Sequence, residues 1–253
     1  MLSSQLLIIS SKVRVQVGIK TRTFLPLPMR RKLSVWFVLI GVSLIAGNCS
    51  WHKTTPPPIV ISDLIPFNSS TSAYWEVGYS DSSVLSNNKF RLCGSAETNT
   101  PIALWHPSNA IYYPYTGQNR DSIAHLHSSN QWALRPHQIA MEGSNSGQYS
   151  MLRFIAPAQG SYKIKVVFEG VHFGLSSTDV HVLFNNTSLF DDIIEGYGGD
   201  SSFHAITGAH PSATYNGLLL LQKGDIIAFA VGYGTNKTFY NDTTGLMISI
   251  EKV

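Results

Sequence analysis

The chain has 253 residues, 43% hydrophobic and 13% charged, with 20 Gly, 12 Pro and 2 Cys. That is ample apolar material for a core, too apolar for a disordered chain, and too few cysteines for a disulfide scaffold. The formal net charge is +3, but seven of the 18 Lys and Arg residues lie in residues 1–49, where no acid occurs. The remaining eleven face all 15 acids, a balance of −4, and no run of like charge or basic helix face follows. The electrostatic footprint of a nucleic-acid binder is missing.

Met29-Arg-Arg-Lys32 precedes an apolar run of 14 residues, Leu33 to Ala46, and then small residues, the layout of a secretory signal. A membrane span needs about 20 apolar residues, so the run reads as a leader, with Met29 the expected initiator. It ends in Leu44-Ile-Ala-Gly-Asn-Cys49-Ser50. That segment resembles a lipoprotein signal, although Ala46 and Asn48 stand where Leu and a small residue are usual. Lipidation of Cys49 and plain cleavage between Gly47 and Ser50 are the two readings. The expected organisation is a leader over 1–49, a Pro-rich linker over 50–58 built on Pro56-Pro57-Pro58, and a folded domain over 59–253. Six Asn-x-Ser/Thr triplets begin at Asn48, Asn68, Asn185, Asn186, Asn236 and Asn241. Beside a leader of bacterial type they read as chance.

From Ile59 onward no helical period of any length occurs. Short β-branched and aromatic runs alternate with Gly, Asn, Pro and Ser, which predicts strands. In chain order these are Tyr74–Tyr79, Phe90–Cys93, Pro101–His106, Gln131–Arg135, Met151–Ala156 and Ser161–Val171, then Asp179–Phe184, Ser188–Ile194, Gly217–Gln222, Ile226–Gly232 and Leu246–Lys252. Tyr162, Ile164, Val166 and Phe168 share one face while Lys163 and Lys165 point the other way, giving one dry and one wet side. Asn185-Asn186 suits a two-residue hairpin, and Lys223-Gly224-Asp225 a second turn. Eleven short strands with a turn about every ten residues predict an all-β, antiparallel β-sandwich, jelly-roll-like, as a single domain after the signal segment.

Several segments agree in order and spacing with one known pattern. They are Tyr74-Trp-Glu-Val-Gly-Tyr79, Trp105, Arg153-Phe-Ile-Ala-Pro-Ala-Gln-Gly-Ser-Tyr162, Thr178-Asp-Val-His-Val182, Lys223 to Gly232 and Asn241-Asp-Thr-Thr-Gly245. Over about 180 residues the chain resembles a secreted jelly-roll module of uncharacterised bacterial exoproteins, including ones with a PEP-CTERM sorting tail. The resemblance implies a non-catalytic β-sandwich on secreted proteins, suspected of binding glycans. The chain departs from the pattern in showing no sorting tail and in having Pro136-His137-Gln138 where His-Pro-Gly is expected. Arg153, in an apolar strand, calls for a carboxylate partner, with Asp179 and Asp225 the candidates.

Catalytic motifs are weak. Gly143-Ser-Asn-Ser-Gly147 places Asn145 where a nucleophile elbow needs Ser, and no phosphate-binding glycine loop occurs. Asp191 and Asp192 are strand neighbours that point to opposite faces, so a solvated pair is expected rather than an acid/base pair. His125-Leu-His127 puts two imidazoles on one face of a strand, the basis for a metal-dependent enzyme with His137 as a further ligand; polar-loop histidines are the competing reading. No cofactor is demanded, and a structural Ca²⁺ held by oxygens such as those of Asp179 or Asp242 stays open. Cys93 reads as a small buried apolar residue.

The segment Trp105-His-Pro-Ser-Asn-Ala-Ile-Tyr-Tyr-Pro-Tyr115 is the best ligand candidate. Flat aromatic faces stack on the C–H patches of sugar rings, and Trp and Tyr add a polar tip. Trp105, Tyr112, Tyr113 and Tyr115 are the expected platform, with Tyr113 and Tyr115 exposed ahead of Trp105. Asn109, Gln118, Asn119 and Arg120 are the nearby hydroxyl-bonding groups. The competing reading buries Trp105 and one or two tyrosines at the end of the core. The functional expectation is a secreted or envelope-associated, non-catalytic adhesion or carbohydrate-binding module whose partner is a polysaccharide or cell-surface glycan. A structural matrix or surface protein without a discrete ligand is the alternative, and the His125/His127 enzyme the third. Membrane contact is expected only through the leader or a lipid on Cys49.

Overall fold

Runs of β-branched and aromatic residues pack well on a pleated surface and lose side-chain freedom in helices, so they commit a chain to strands. The computed structural model describes residues 59–60, 71, 74–99, 101–108, 111–174 and 176–253. The expected leader, linker, Met29, Cys49 and Asn109 lie outside these. In chain order the strands are β1 (Ile59–Val60), β2 (Trp75–Ser80), β3 (Phe90–Leu92), β4 (Ser95–Asn99), β5 (Ile102–His106), β6 (Tyr115–Asn119), β7 (His125–Leu126), β8 (Ala133–Leu134) and β9 (Ile139–Glu142). They continue with β10 (Ser150–Ile155), β11 (Gly160–Gly170), β12 (Ser177–Phe184), β13 (Thr187–Glu195), β14 (Ser212–Leu221), β15 (Ile226–Val231) and β16 (Thr244–Lys252).

The strands form an antiparallel sandwich of jelly-roll type, as expected. One sheet runs β14-β11-β16-β9-β6-β5-β4, with β1 also on β16; the other runs β13-β12-β15-β10-β2-β3. Strands β7 and β8 make a separate ribbon. From β9 onward the chain changes sheet at almost every connection, and β12–β13 is the exception. That hairpin turns at Asn185-Asn186, with Asn185 at φ 53°, a conformation Asn tolerates. The Lys223-Gly224-Asp225 turn carries the chain from one sheet to the other.

Inward faces follow the alternation. Tyr162, Ile164, Val166 and Phe168 of β11 join Leu246, Ile248 and Ile250 of β16 in the main core. They meet Trp75, Leu152, Phe154, Val180, Ile227 and Phe229 from the facing sheet, while Lys163 and Lys165 are exposed. Burying one such side chain contributes about 1.5–3 kcal/mol. Cys93 belongs to this core as a free thiol, and burial pushes it up to about 12. Arg153 faces outward; its partner is Glu76, directly opposite on β2 at 3.3 Å, and its guanidinium lies 4.2 Å from the Phe90 ring centre. Asp179 and Asp225 are therefore not its partners: Asp179, on β12, is bonded to His181 and the Gly234 N–H, and Asp225, in the turn before β15, to Asn185 and the Gln222 N–H.

Sequence reading missed β4, β6 and β9 among the longer strands. Both faces of β6 and β9 are buried, so neither shows an alternation to read. Strand β14 begins five residues earlier than expected, and the Gln131–Arg135 run shrinks to β8.

One close approach fixes the loop between β15 and β16. Gly234 has φ +65°, its N–H donates to Asp179 Oδ1 at 2.7 Å, and a Cβ there would collide with the Ser177 carbonyl oxygen. Gly234→Ala is expected to lower the unfolding free energy by about 1–3 kcal/mol in chemical denaturation. An unchanged denaturation midpoint would contradict this packing.

Candidate functional site

Strand β9 carries the sequence Ile-Ala-Met-Glu, and period two sends Ile139 and Met141 into the main core and Ala140 and Glu142 to the outer face. There a second apolar cluster forms from Ile102, Leu104, Tyr115, Trp132, Leu134, Ala140 and Val171. The register places Tyr115 of β6 directly opposite Glu142. On the other side Thr244 pairs with Met141, which brings Thr243 beside Glu142. Tyr115 and Glu142 on neighbouring strands and Thr243, just before β16, thus lie in one row.

This row backs a cavity of about 450 Å³ on the outside of the sandwich. Its aromatic lining is Tyr113, Tyr115, Trp132, Phe239 and Tyr240; its polar lining is Gln131, Glu142, His172, Asn241 and Thr243. The rings form a continuous chain. Tyr240 stacks on Phe239 at 4.6 Å, Phe239 meets Tyr113 at 4.7 Å, and Tyr113 meets Tyr115 edge-on at 5.5 Å. Trp132 closes the inner end, sandwiched between Tyr115 at 6.4 Å and the His127 ring at 4.2 Å. Tyr240 is 69% exposed and Tyr113 half-buried, so the outer rings offer free faces and the inner ones act as walls.

The polar groups are arranged for recognition. The Thr243 hydroxyl donates to Glu142 Oε2 at 2.6 Å, and the Tyr115 hydroxyl lies 3.1 Å from Thr243 Oγ1. Burial pushes the Glu142 carboxyl up to about 7, against the pull of the Thr243 and Tyr115 hydroxyls. Burial also pushes Asp242 up to about 7, helped by the nearby Glu142 and Asp179 carboxylates and opposed by the Ser177 N–H. Nδ1 of His172 accepts the Gly174 N–H at 2.9 Å, which leaves its proton on Nε2, and burial holds the ring below the usual imidazole value. His172 is therefore a neutral donor.

The expected platform is only partly realised. Tyr113 and Tyr115 line the cavity, but Tyr115 is buried rather than exposed because a tyrosine opposite Glu142 sits under Trp132. Trp105 is 0% exposed: period two turns it inward from β5 into the main core, so it presents no face to a ligand. Tyr112 is 37% exposed and stacks on the buried His106 ring at 4.9 Å, outside the cavity lining. Arg120 follows β6 at its far end, roughly 16 Å along the strand from Tyr115. Gln118 and Asn119 are buried, and the Asn119 amide is spent on the Ile123 and Arg135 carbonyls. Sequence reading missed Glu142, His172, Phe239 and Tyr240, and noted Asn241 to Thr243 within the resemblance and as oxygen ligands. A lone acid ending an apolar run and the Phe-Tyr-Asn triplet were the available signals.

The metal candidates do not converge. His125 pairs with Asp121 at 2.8 Å, and His127 stacks on Trp132 and bonds Ser129. Asp179 holds His181, and Asp242 accepts the Ser177 N–H at 2.9 Å. Among the described residues no group of three or more His, Cys, Asp or Glu is placed to hold a metal ion. No helix among them is long and apolar enough to cross a membrane.

A larger and shallower concavity, about 610 Å³, lies over β12 and β13 and is lined by Asp179, His181, Asp191, Asp192, Ile193, Glu195 and His210. His181 bridges Asp179 at 2.7 Å and Asp191 at 2.6 Å. Burial works against its charged form, but the two carboxylates outweigh it and hold the ring above its ordinary value. Asp191 is 59% exposed, the solvated carboxylate that was expected, and is also one arm of this triad. This concavity is strongly acidic and the described residues of its lining include no Trp, Tyr or Phe to stack on a sugar ring, so the smaller cavity is the better glycan site.

No protein-family model and no curated protein matches the chain. Among solved structures it is similar to the CBM51 module of Clostridium perfringens GH95 in complex with methyl-galactose. There the identity is 10%, the TM-score 0.32, and the match covers 77% of this chain and 99% of that one. It is similar at 10% identity and TM-score 0.25 to a family 35 carbohydrate binding module from Clostridium thermocellum, over 41% of this chain and 68% of that one. A beta-glucosidase from Kluyveromyces marxianus matches at 18% identity and TM-score 0.26; the chain spans 11% of its length, over 42% of its own. Likenesses of this size assign no ligand to this chain.

The raised Glu142 value makes a signed prediction. Its folded pKa lies above the unfolded one, so the stability held by the neutral form is full below about 4.5 and lost as pH rises through about 7. Between those limits the unfolding free energy of Glu142→Gln should gain on the parent by on the order of 3 kcal/mol. A difference that does not change with pH would show that Glu142 is ordinarily solvated.

Proposed function

We propose that the protein is a non-catalytic glycan-binding module, holding a sugar against Tyr113, Phe239 and Tyr240 in the outer cavity. The observation that carries this reading is the pairing of accessible aromatic faces with a buried polar wall. Tyr240 and Tyr113 offer C–H stacking surface, while Glu142, His172, Gln131 and Asn241 offer acceptors and donors to ring hydroxyls. A cavity of about 450 Å³ falls within the usual range for small-ligand sites. The residues come from five separate stretches of the chain between Tyr113 and Thr243, so the site is a product of the fold. We further place the module at the cell exterior, on the strength of the signal-like segment Met29–Ala46.

Retention of the full-length protein on a panel of insoluble polysaccharides, with Tyr113→Ala and Tyr240→Ala beside the parent, tests this. Each substitution should weaken binding about tenfold while leaving the denaturation midpoint near that of the parent. Trp105→Phe, inside the core, should lower stability and leave the affinity of the folded protein unchanged. Self-assembly without retention on any polysaccharide would favour the structural alternative and overturn the glycan reading.

A further inference from the structure

Three acidic residues are buried among the described residues, and they differ in their company. Glu169 is paired with Arg135 at 2.9 Å and also accepts from the Gln138 amide at 2.7 Å. Glu142 and Asp242 have no cation in contact: no salt bridge of the described residues includes either. Glu142 is 5% exposed and receives neutral hydroxyls, and Asp242 Oδ2 is buried without any partner. A carboxylate taken out of water is costly unless an opposite charge meets it.

Glu142 is also the buried acid that lines the cavity. No described residue of the lining is Lys or Arg, and His172 is neutral. The Thr243 and Tyr115 hydroxyls bond Glu142, Tyr113 and the Asp242 carboxyl lie close enough to feel its charge, and Tyr240 and His172 are the other titratable groups of the lining. None supplies positive charge. A neutral sugar would bond this carboxylate and leave its charge uncompensated, and a uronic acid would meet repulsion from both acids. An ammonium group brings three donors and a full charge, and aromatic faces attract cations as well.

Resting on the glycan reading above, we propose that the cavity selects a glycan bearing a protonated amine, a 2-amino-2-deoxy sugar whose ammonium docks on Glu142 between the aromatic walls. The sugar ring stacks on Tyr113 and Tyr240, and the amine reaches the carboxylate held by Thr243. An N-acetylated sugar loses the charge and two of the three donors at the same position. A quaternary ammonium keeps the charge but cannot donate a hydrogen bond.

Calorimetric titration of the full-length protein at pH 7 compares soluble β-linked oligomers of glucosamine, N-acetylglucosamine and glucose. The glucosamine oligomer is expected to bind at least tenfold more tightly than the other two. In Glu142→Gln that advantage should fall below threefold. If this variant fails to fold, the parent still decides. Its preference for the amine should shrink at least tenfold from pH 7 to pH 5, as Glu142 takes up a proton. Equal binding of all three oligomers overturns the amine assignment and leaves the glycan reading intact, whereas binding of none overturns both. Displacement of the glucosamine oligomer by tetramethylammonium at equal concentration would show a cation cage without sugar recognition, and would also overturn it.

Discussion

A carboxylate buried without a cation is the constraint around which the outer cavity is organised. Glu142 ends the four-residue strand β9, which has no freedom to turn it away. Ile139 and Met141 are held in the main core, so Ala140 and Glu142 must face outward under the aromatic cover. A slip of one residue would bury Glu142 in the sandwich and expose the apolar pair. The sandwich therefore fixes the acid, and the acid fixes the chemistry of the cavity. The cost of its burial is tolerable because Tyr115 of β6 and Thr243, just before β16, offer hydroxyls from either side.

The contrast with the β12–β13 face shows two uses of charge on one scaffold. There Asp179 and Asp191 clamp His181 from both sides, and Asp179 also accepts the Gly234 N–H. Those bonds tie β13 and the loop after β15 to β12. At the aromatic cavity the loop is tied instead through Asp242 to the Ser177 N–H. Both anchors hold the same loop, whose later residues, Phe239 to Asn241, complete the cavity. Stability at one face thus supports the geometry of the other.

How much of this was legible in the sequence follows from what each side chain is in contact with. Strand β11 announced itself because Lys163 and Lys165 face water and leave a clean period of two. Strands β6 and β9 did not, since cover on both faces removes the polar half of the pattern. The site was half visible. Tyr113 and Tyr115 lie in an evident aromatic cluster, but Trp105 in the same cluster turns inward, and its inward face could be assigned only once β5 and its register were known. Glu142, His172 and Tyr240 join the site through long-range contacts, and the local signals at Glu142 and Tyr240 do not show that these residues meet. The partner of Arg153 was missed for the same reason: Glu76 is 77 positions away in the chain and directly opposite on the ladder.

The central claim is that ligand recognition resides in the cavity around Glu142 and not on the larger acidic face. Chemical-shift mapping of the isotopically labelled protein, titrated with soluble glucosamine oligomers, addresses it residue by residue. Shifts are expected at Tyr113, Glu142, His172 and Tyr240, with Asp191 and Glu195 unmoved. Shifts confined to the Asp191–Glu195 strand, or none at saturating oligomer, would contradict the account.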